Sequence, residues 1–589
     1  MELSMPSSSD EAHPRRAGEP VTFAECAGFF HAAPGDVAVL MLSPWGFEDL
    51  AIRESWRGLA ETLADASHPC LRFDLPGTGD STGDDLDVVD LDVWRRAVLA
   101  AAAEARRLAA TDRLIVLGQG FGAFLAQDMA DAVSAEGLVA LAPMAEGRAG
   151  VRELRVWSAM LAAPSDPPPD PGSDEALNVA GFRLSRPLIE RLEVAQWSRE
   201  AAVTCTRALV LARGTRPGDA RFVEMLRGRG IAVETEEFVG HDDLMTTTAR
   251  SKTPWDDWRR IAARVTATFP GTLRTASAVA PGSAVLDTAT YREEAICFGP
   301  ARALFGVLCT PKDVVRPPVV IFPGSGYNAH IGWARGHVAL GRRLAARGIA
   351  SFRIDGSRIG DAGIDPGGPE EVLYDAVQIA EVRRAVDVVV ERGLGPVVLA
   401  GRCSGAYVAL HAAEADDRVA AVVSVNALRL VWNPAETLAE AMSGGSGSLK
   451  TYGRRLRSRE LLRRIRTFDL PVGRVGRDVA IRLFKRLSAA LAGISGKLTM
   501  MGRLHARVND RFDAMNARGM PVALVYADND AGLDELAAYC GRGGRRLARW
   551  PTISLTVVPA TDHNMTAPHA QNVIFDRILD VVARLPRPR

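Results

Sequence analysis

Cysteine, net charge and long apolar runs are all in short supply in this sequence, and each shortage removes a class of protein. The seven cysteines, Cys26, Cys70, Cys205, Cys297, Cys309, Cys403 and Cys540, are odd in number and scattered, with no C-x-x-C spacing. That pattern excludes a disulfide framework and a cysteine metal site, and it predicts reduced thiols in the cytoplasm. Lys plus Arg equals Asp plus Glu at 71 each, so no overall field draws in nucleic acid or an acidic partner. No stretch of about 18 apolar residues could span a bilayer. The G-x-G of Gly118 to Gly120 lacks the rest of a dinucleotide fingerprint, and neither metal, nucleotide nor redox cofactor is expected. The first twenty residues, MELSMPSSSDEAHPRRAGEP, have no apolar core and read as a disordered lead-in.

What is present begins with Pro396 to Glu414, PVVLAGRCSGAYVALHAAE. A short apolar run at Val397 to Ala400 fits a buried parallel strand, and from Ala406 small and apolar residues recur at helical spacing. Between them Gly401 and Gly405 flank Cys403 at minus two and plus two, the spacing of a G-x-S-x-G nucleophile elbow with sulfur in place of the hydroxyl. Such a turn has strained backbone angles, and side chains beside it would collide with the adjoining strand and helix. It also sets the sulfur over a helix N-terminus, where a thiol's pKa falls. Downstream, a strand Val522 to Ala527 runs into the acidic turn of ADNDAGLDE, and a strand Leu555 to Val558 runs into Asp562-His563. Nucleophile, acid and histidine therefore follow one another, each past the end of a strand.

The chain is long enough for more than one core, and it repeats its plan. VAVLMLSPWGFE, CLRFDLPGTGDSTGD and RLIVLGQGFGAFLAQDMA in the first half answer to PPVVIFPGSGYNAHIGW, GIASFRIDGSRIGDAGID and the Cys403 elbow in the second. Strands alternating with helices imply doubly wound parallel sheets, so the fold class is α/β with two tandem layers. The boundaries are 21–270 for a degenerate first domain, 271–285 for a linker and 286–589 for a catalytic domain. Gly120 stands where the second half has Cys403, Thr215 where it has Asp530, with no carboxylate nearer than Asp219, and Asp243 where it has His563. A glycine carries no nucleophilic atom, so the first elbow is silent. His241 is displaced from the histidine position and reads as surface or packing. The silent half is expected to pack against the catalytic one and help shape its site.

The second half also carries an insertion from about Trp432 to Gly519, predicted to form a helical cap; the first has a shorter counterpart near Arg148 to Glu200. Arg454 through Arg466, with Arg474, Arg477, Arg482, Lys485 and Arg486, make the cap basic. A solvated helical face, an anionic substrate or carrier, and a membrane surface are the readings it leaves open.

These residues carry a resemblance. The chain resembles a fusion of two α/β-hydrolase-type proteins found with exopolysaccharide and exosortase loci. One type is similar at GRCSG, SLKTYGRRLRSRELLRRI, ADNDAGLDEL and TDHNM; the other at DLPGTGDS and NVAGFRLSRPLIERL, and it too tends to lack the serine. The cysteine elbow is also similar to that of dienelactone hydrolases and of some thioesterases. The resemblance implies the fold and the site but no defined substrate.

The residues assign Cys403 as nucleophile, His563 as base and then acid, and Asp530 as the group orienting His563, with Asp528 the alternative two residues earlier. Asp562 adjoins the histidine, but its side chain should diverge from the ring. The Ser404 N–H and the loop of Ser325 and Gly326 are the expected oxyanion donors. Tyr327, Arg402 and Tyr407 are candidate pocket residues, with an exposed arginine and helix packing as the plainer readings of the last two. A thiolate here suits acyl transfer or hydrolysis on a small or carrier-bound ester or thioester. A scaffold whose second half has also lost activity is the competing reading.

Overall fold

A computed structural model describes residues 18–161, 176–195, 204–214, 216–248, 251–274, 284–364, 368–434, 436–438 and 499–586. The first sheet is built from β1 (Glu19–Phe23), β2 (Cys26–His31), β3 (Val37–Leu42), β4 (Cys70–Phe73), β5 (Arg113–Gln119) and β6 (Gly137–Leu141). A separate hairpin, β7 (Ala176–Val179) and β8 (Phe182–Ser185), precedes β9 (Arg207–Ala212) and β10 (Ala232–Glu237), which complete the sheet. The second sheet comprises β11 (Val285–Asp287), β12 (Tyr291–Phe298), β13 (Leu304–Pro311), β14 (Arg316–Phe322), β15 (Ile349–Asp355), β16 (Val397–Arg402), β17 (Val419–Val425), β18 (Val522–Ala527) and β19 (Ile553–Val558). The strand orders are β1-β2-β4-β3-β5-β6-β9-β10 and β11-β12-β13-β15-β14-β16-β17-β18-β19. From β4 and from β15 onward the neighbours in each sheet are parallel, behind an antiparallel leading edge.

The central strands are uninterrupted apolar runs because helices cover both faces. β3, VAVLML, is buried along its length, as is β16. Each sheet accordingly has one apolar cluster on each side. The expected strand at 397–400 extends to Arg402, and the helix beyond begins at Ser404 rather than Ala406. The helix that leads into β16 spans Ala376–Glu391, since Tyr374 is left-handed (φ 62°) and Asp375 caps Val377 N–H. β1 opens at Glu19, inside the predicted lead-in. Most of the predicted cap, 439–498, lies outside the described residues, as do 162–175 and 196–203 of its first-half counterpart. The cap's described end is the helix Met500–Ala517, which leads into β18.

The two halves meet through a buried and nearly reciprocal set of charges. Arg72-Phe73-Asp74 ends β4 and Arg353-Ile354-Asp355 ends β15, and each strand turns within six residues to a second aspartate, Asp80 or Asp361. Asp74 accepts from Asp80 N–H and Asp355 from Asp361 N–H, both at 2.9 Å. Each second aspartate then crosses to the other half. Asp80 pairs with Arg353 (2.9 Å) and His330 (2.6 Å); Asp361 pairs with Arg72 (2.5 Å) and Arg53 (2.8 Å). Arg53 reaches back to Asp74 and His330 to Asp355, so each pair is bridged by a cation bound on both sides. Burial works against charge on His330, but Asp80 and then Asp355 outweigh it and lift its pKa to about 10. Phe29 and Phe305 meet edge to face at 5.0 Å alongside.

His330, Asp355 and Asp361 are close enough to share an ion. Both nitrogens of His330 are bonded to carboxylates and Asp361 to two arginines, so the protein's own charges fill that cluster. Arg353, 1% exposed, also binds Glu293 at 2.7 Å. Arg353→Met would take one cation from two buried carboxylates, leaving Asp80 to His330 and Glu293 to Arg342, and a loss of about 3 kcal/mol is expected. Chemical denaturation measures it; a change below about 1 kcal/mol, the worth of a surface pair, would show that the network is not a structural element.

Candidate active site

β16 delivers Cys403 onto a tight turn with φ 54° and ψ −118°, a left-handed conformation that side chains seldom adopt. The flanking glycines make it possible. A Cβ on Gly401 would lie 2.1 Å from Gly405 O, and one on Gly405 would lie 2.4 Å from Gly324 O. The Ser404 N–H at the helix N-terminus bonds the sulfur.

His563 follows β19, and Asp530 follows β18. His563 Nδ1 is 2.5 Å from Asp530 Oδ2, which leaves Nε2 for the sulfur of Cys403, to which the imidazole is hydrogen-bonded. Asp530 is 1% exposed, and its other oxygen accepts from Gly532 N–H at 2.7 Å. Asp528 is exposed. Two residues along one turn thus differ completely in surroundings. Asp562 turns away to accept from Thr566 N–H and Oγ1 at 2.8 and 3.0 Å. Asn426, at the end of β17, donates to His563 O and accepts from Ala527 N–H, both at 2.8 Å, tying the two loops together. Sequence reading missed it, and only its place after a central strand hinted at it.

The electrostatics favour a charged pair. Burial raises the Cys403 pKa, but His563, followed by Arg402 and the Ser404 N–H, outweighs it and leaves the thiol below its ordinary value. Burial likewise opposes charge on His563, yet Asp530 and then Cys403 lift it to about 10. The other six thiols go the opposite way, chiefly through burial: Cys26 and Cys540 to about 12, Cys205 to about 11, with Cys70, Cys297 and Cys309 also raised.

Of the loop residues, Ser325 is 3% exposed and beside the elbow, whereas Gly326 N–H donates to Ser404 Oγ at 2.7 Å. Gly326 is therefore committed to holding loop against elbow, contrary to the expectation that it is a free donor. Tyr327 Oη donates to Glu371 at 2.5 Å. Arg402 is buried, not exposed; Nη1 donates to Asn564 Oδ1 at 2.6 Å, next to His563. Tyr407 packs against Tyr374 (5.1 Å) and His411 (3.7 Å). Tyr374, also unforeseen, is a buried phenol whose pKa rises through burial and then through the charge of Cys403.

The first half repeats the elbow with a glycine at its centre. Gly120 has φ 54° and ψ −116°, within a few degrees of Cys403. A Cβ there would lie 2.7 Å from Glu48 Oε2, so a carboxylate fills the space a nucleophile would need. Residue 215 lies outside the described residues. Asp219 is bound to Arg213 at 2.8 Å, His241 Nδ1 faces Asp242 at 3.0 Å, and Asp243 is at the surface, 3.5 Å from Lys252.

Comparison with known proteins gives one family and many folds of the same kind. The family model described as Alpha/beta hydrolase family matches residues 29–286 and again 319–575. No curated protein matches the chain in sequence. Similar solved structures include ferulic acid-bound Est1E from Butyrivibrio proteoclasticus, 14% identical, covering 42% of this chain and 98% of its own at TM-score 0.31. Dienelactone hydrolase from Anabaena variabilis is 14% identical, with 51% and 100% covered at TM-score 0.31. XC6422 from Xanthomonas campestris, an α/β serine hydrolase without lid, is 14% identical, with 52% and 99% covered at TM-score 0.28.

The depressed thiol pKa predicts that iodoacetamide labels Cys403 ahead of the other six cysteines, with a rate that rises with pH and levels off below the pKa of an ordinary thiol. Asp530→Asn should slow that alkylation at pH 7 by at least ~10-fold, since it weakens the imidazolium that holds the thiolate, while Asp528→Asn leaves it unchanged. Peptide mapping of the labelled protein reads both, and the reverse ordering would move the acid to Asp528.

Proposed function

This chain belongs to the alpha/beta hydrolase family, and from that premise we propose that its second half is an acyl-transfer enzyme working through Cys403, His563 and Asp530. The observation that carries the reading is the Asp530–His563–Cys403 line, with a buried carboxylate on Nδ1 and a thiol of lowered pKa on the far side of the ring. A hydrolase is the coarse statement; the cysteine nucleophile and the choice of acyl group are the proposal.

In the proposed reaction the Cys403 thiolate attacks the carbonyl carbon of an ester or thioester, forming a C–S bond and an oxyanion. Ser404 N–H and the backbone of Ser325 are the groups positioned to receive that charge. Collapse breaks the bond to the leaving alkoxide or thiolate, which takes the proton from His563 Nε2. Water, an alcohol or an amine then attacks the acyl-thioenzyme, gives its proton to the now neutral imidazole and expels the thiolate. Asp530 keeps Nδ1 protonated throughout, so that Nε2 is always the working nitrogen. A thioester intermediate yields to an amine or alcohol more readily than an oxygen ester does, so transfer stands beside hydrolysis as an outcome. The substrate is a small or carrier-bound acyl compound. The resemblance to hydrolases of exopolysaccharide and exosortase loci brings a biosynthetic setting into the proposal without adding a substrate. A reducing compartment agrees with cysteines that are all free among the described residues, and no described helix is long and apolar enough to cross a membrane.

Intact-mass spectrometry after incubation with a panel of acyl thioesters tests the reading. One acyl mass should appear on wild type, map to Cys403 and be absent from Cys403→Ala. Acyl mass on another cysteine, or equal mass on the Ala variant, would overturn it.

A further inference from the structure

The segment that follows β14 carries the loop beside the nucleophile, and its later part, from Asn328 to Arg335, is bound largely by the other half of the chain. Thr248 Oγ1 donates to Asn328 Oδ1 at 2.9 Å. His330 binds Asp80 at 2.6 Å, Trp333 Nε1 donates to Ala180 O at 2.7 Å, and Arg335 donates to the carbonyls of Gly77, Gly79, Ser81 and Gly83 at 2.7–3.1 Å. These contacts span about eight residues of one short segment. Within its own half the segment is held by Asp355, which accepts from His330, by Ser404, which accepts from Gly326 N–H, and by Glu371, which accepts from Tyr327 Oη. Thr248, Ala180 and the turn of Gly77 to Gly83 come from three separate places in the first half.

The tie at Asn328 runs straight into the site. Asn328, 6% exposed, donates its N–H to Ser325 O at 3.1 Å and forms an isolated bridge with Ser325. A hydroxyl of the silent half therefore fixes the side chain of Asn328, whose backbone fixes Ser325. Ser325 in turn lies between Gly324, whose carbonyl is against Gly405, and Gly326, which is bonded to Ser404. A shift of Asn328 is a shift of the oxyanion loop relative to Cys403.

We propose that the first half is retained as the holder of this loop, with Thr248 as a positioning residue for the oxyanion site of the second half. The proposal rests on the reading of Cys403 as an acyl-accepting nucleophile. It makes the catalytic half incomplete without its silent neighbour in a specific sense: the nucleophile and its histidine are built within residues 397–563, but the wall that receives the oxyanion is braced from outside. It also accounts for a half kept whole though its own elbow holds Gly120 and Glu48, because the surface that braces the loop is made of the turn after β4 and the loop after β10, which exist only in a folded sheet.

Two probes in the full-length chain separate the idea from a general loss of structure. Iodoacetamide alkylates the thiolate by displacement at carbon and forms no oxyanion, whereas p-nitrophenyl acetate acylates it through one. Thr248→Val removes the hydroxyl at nearly constant shape. It should leave the alkylation rate of Cys403 and its pH profile unchanged and slow acetylation about three- to tenfold, the range a lost neutral hydrogen bond commands, in the rate constant rather than in the concentration dependence. Thr248→Ser, which keeps the hydroxyl, should restore wild-type acetylation. Acetylation unchanged in Thr248→Val overturns the proposal while leaving the nucleophile intact. Alkylation and acetylation falling together would also overturn it, since that marks a fold effect. Wild type that alkylates at Cys403 but never acetylates there would overturn the underlying reading as well.

Discussion

A left-handed residue between a buried strand and a helix is the constraint on which both halves are built. It is tolerated only where the positions two before and two after are glycine, because any Cβ there would overlap a carbonyl of the same turn or of the neighbouring strand. The first half obeys the same rule: Cβ atoms on Gly118 and Gly122 would lie 2.3 Å from Gly122 O and 2.1 Å from Leu42 O. The turn at Gly120 therefore survives unchanged although nothing reacts there. Its apex is met by Glu48 from the helix Phe47–Asp65 that follows β3, and that carboxylate, whose pKa is raised to about 7 chiefly by burial, has the place a side chain at 120 would take. A side chain put back at 120 would have to displace the end of the Glu48 side chain.

The same geometry that makes the elbow strained makes it useful. It puts the sulfur over a helix N-terminus, beside a histidine whose other nitrogen is held by a buried carboxylate, so that charge separation to thiolate and imidazolium is favoured locally. The loop on the far side is a separate problem. It is bonded to Ser404 and Glu371 in its own half, and the segment that continues from it runs into the interface of buried paired charges through His330. The two halves form a covalent version of a two-fold dimer in which Asp80 and Asp361 exchange places, and only the second carries a thiol at the elbow.

The sequence disclosed the parts that depend on local pattern. Alternating strands and helices, the repeat of the plan, and the order of Cys403, an acidic turn and His563 are all short-range signals. The sequence put Asp530 ahead of Asp528 without excluding the latter, since both follow β18 and the direction of the turn, which buries one and exposes the other, is not a local pattern. Arg402 looked like surface because arginine usually is, yet β16 runs one turn further than its apolar residues and carries it inside. Contacts across the halves were the least legible: Arg353 and Asp80 are 273 residues apart, and Thr248 lies in a loop with no motif. One signal was available, the recurrence of R-x-D followed six residues on by a second Asp in both halves, a charged pattern at the end of a buried strand.

The claim that everything else leans on is that Cys403 rests as a thiolate against a protonated His563. Thiolate absorbs near 240 nm and thiol does not, so a pH titration of the folded protein at that wavelength, subtracting Cys403→Ala, reads its charge directly. The account predicts a difference absorbance for one thiolate already present at neutral pH, removed on acidification and absent in His563→Ala at the same pH. A difference signal that appears only on the alkaline side, at the pH where an unperturbed thiol titrates, would contradict it.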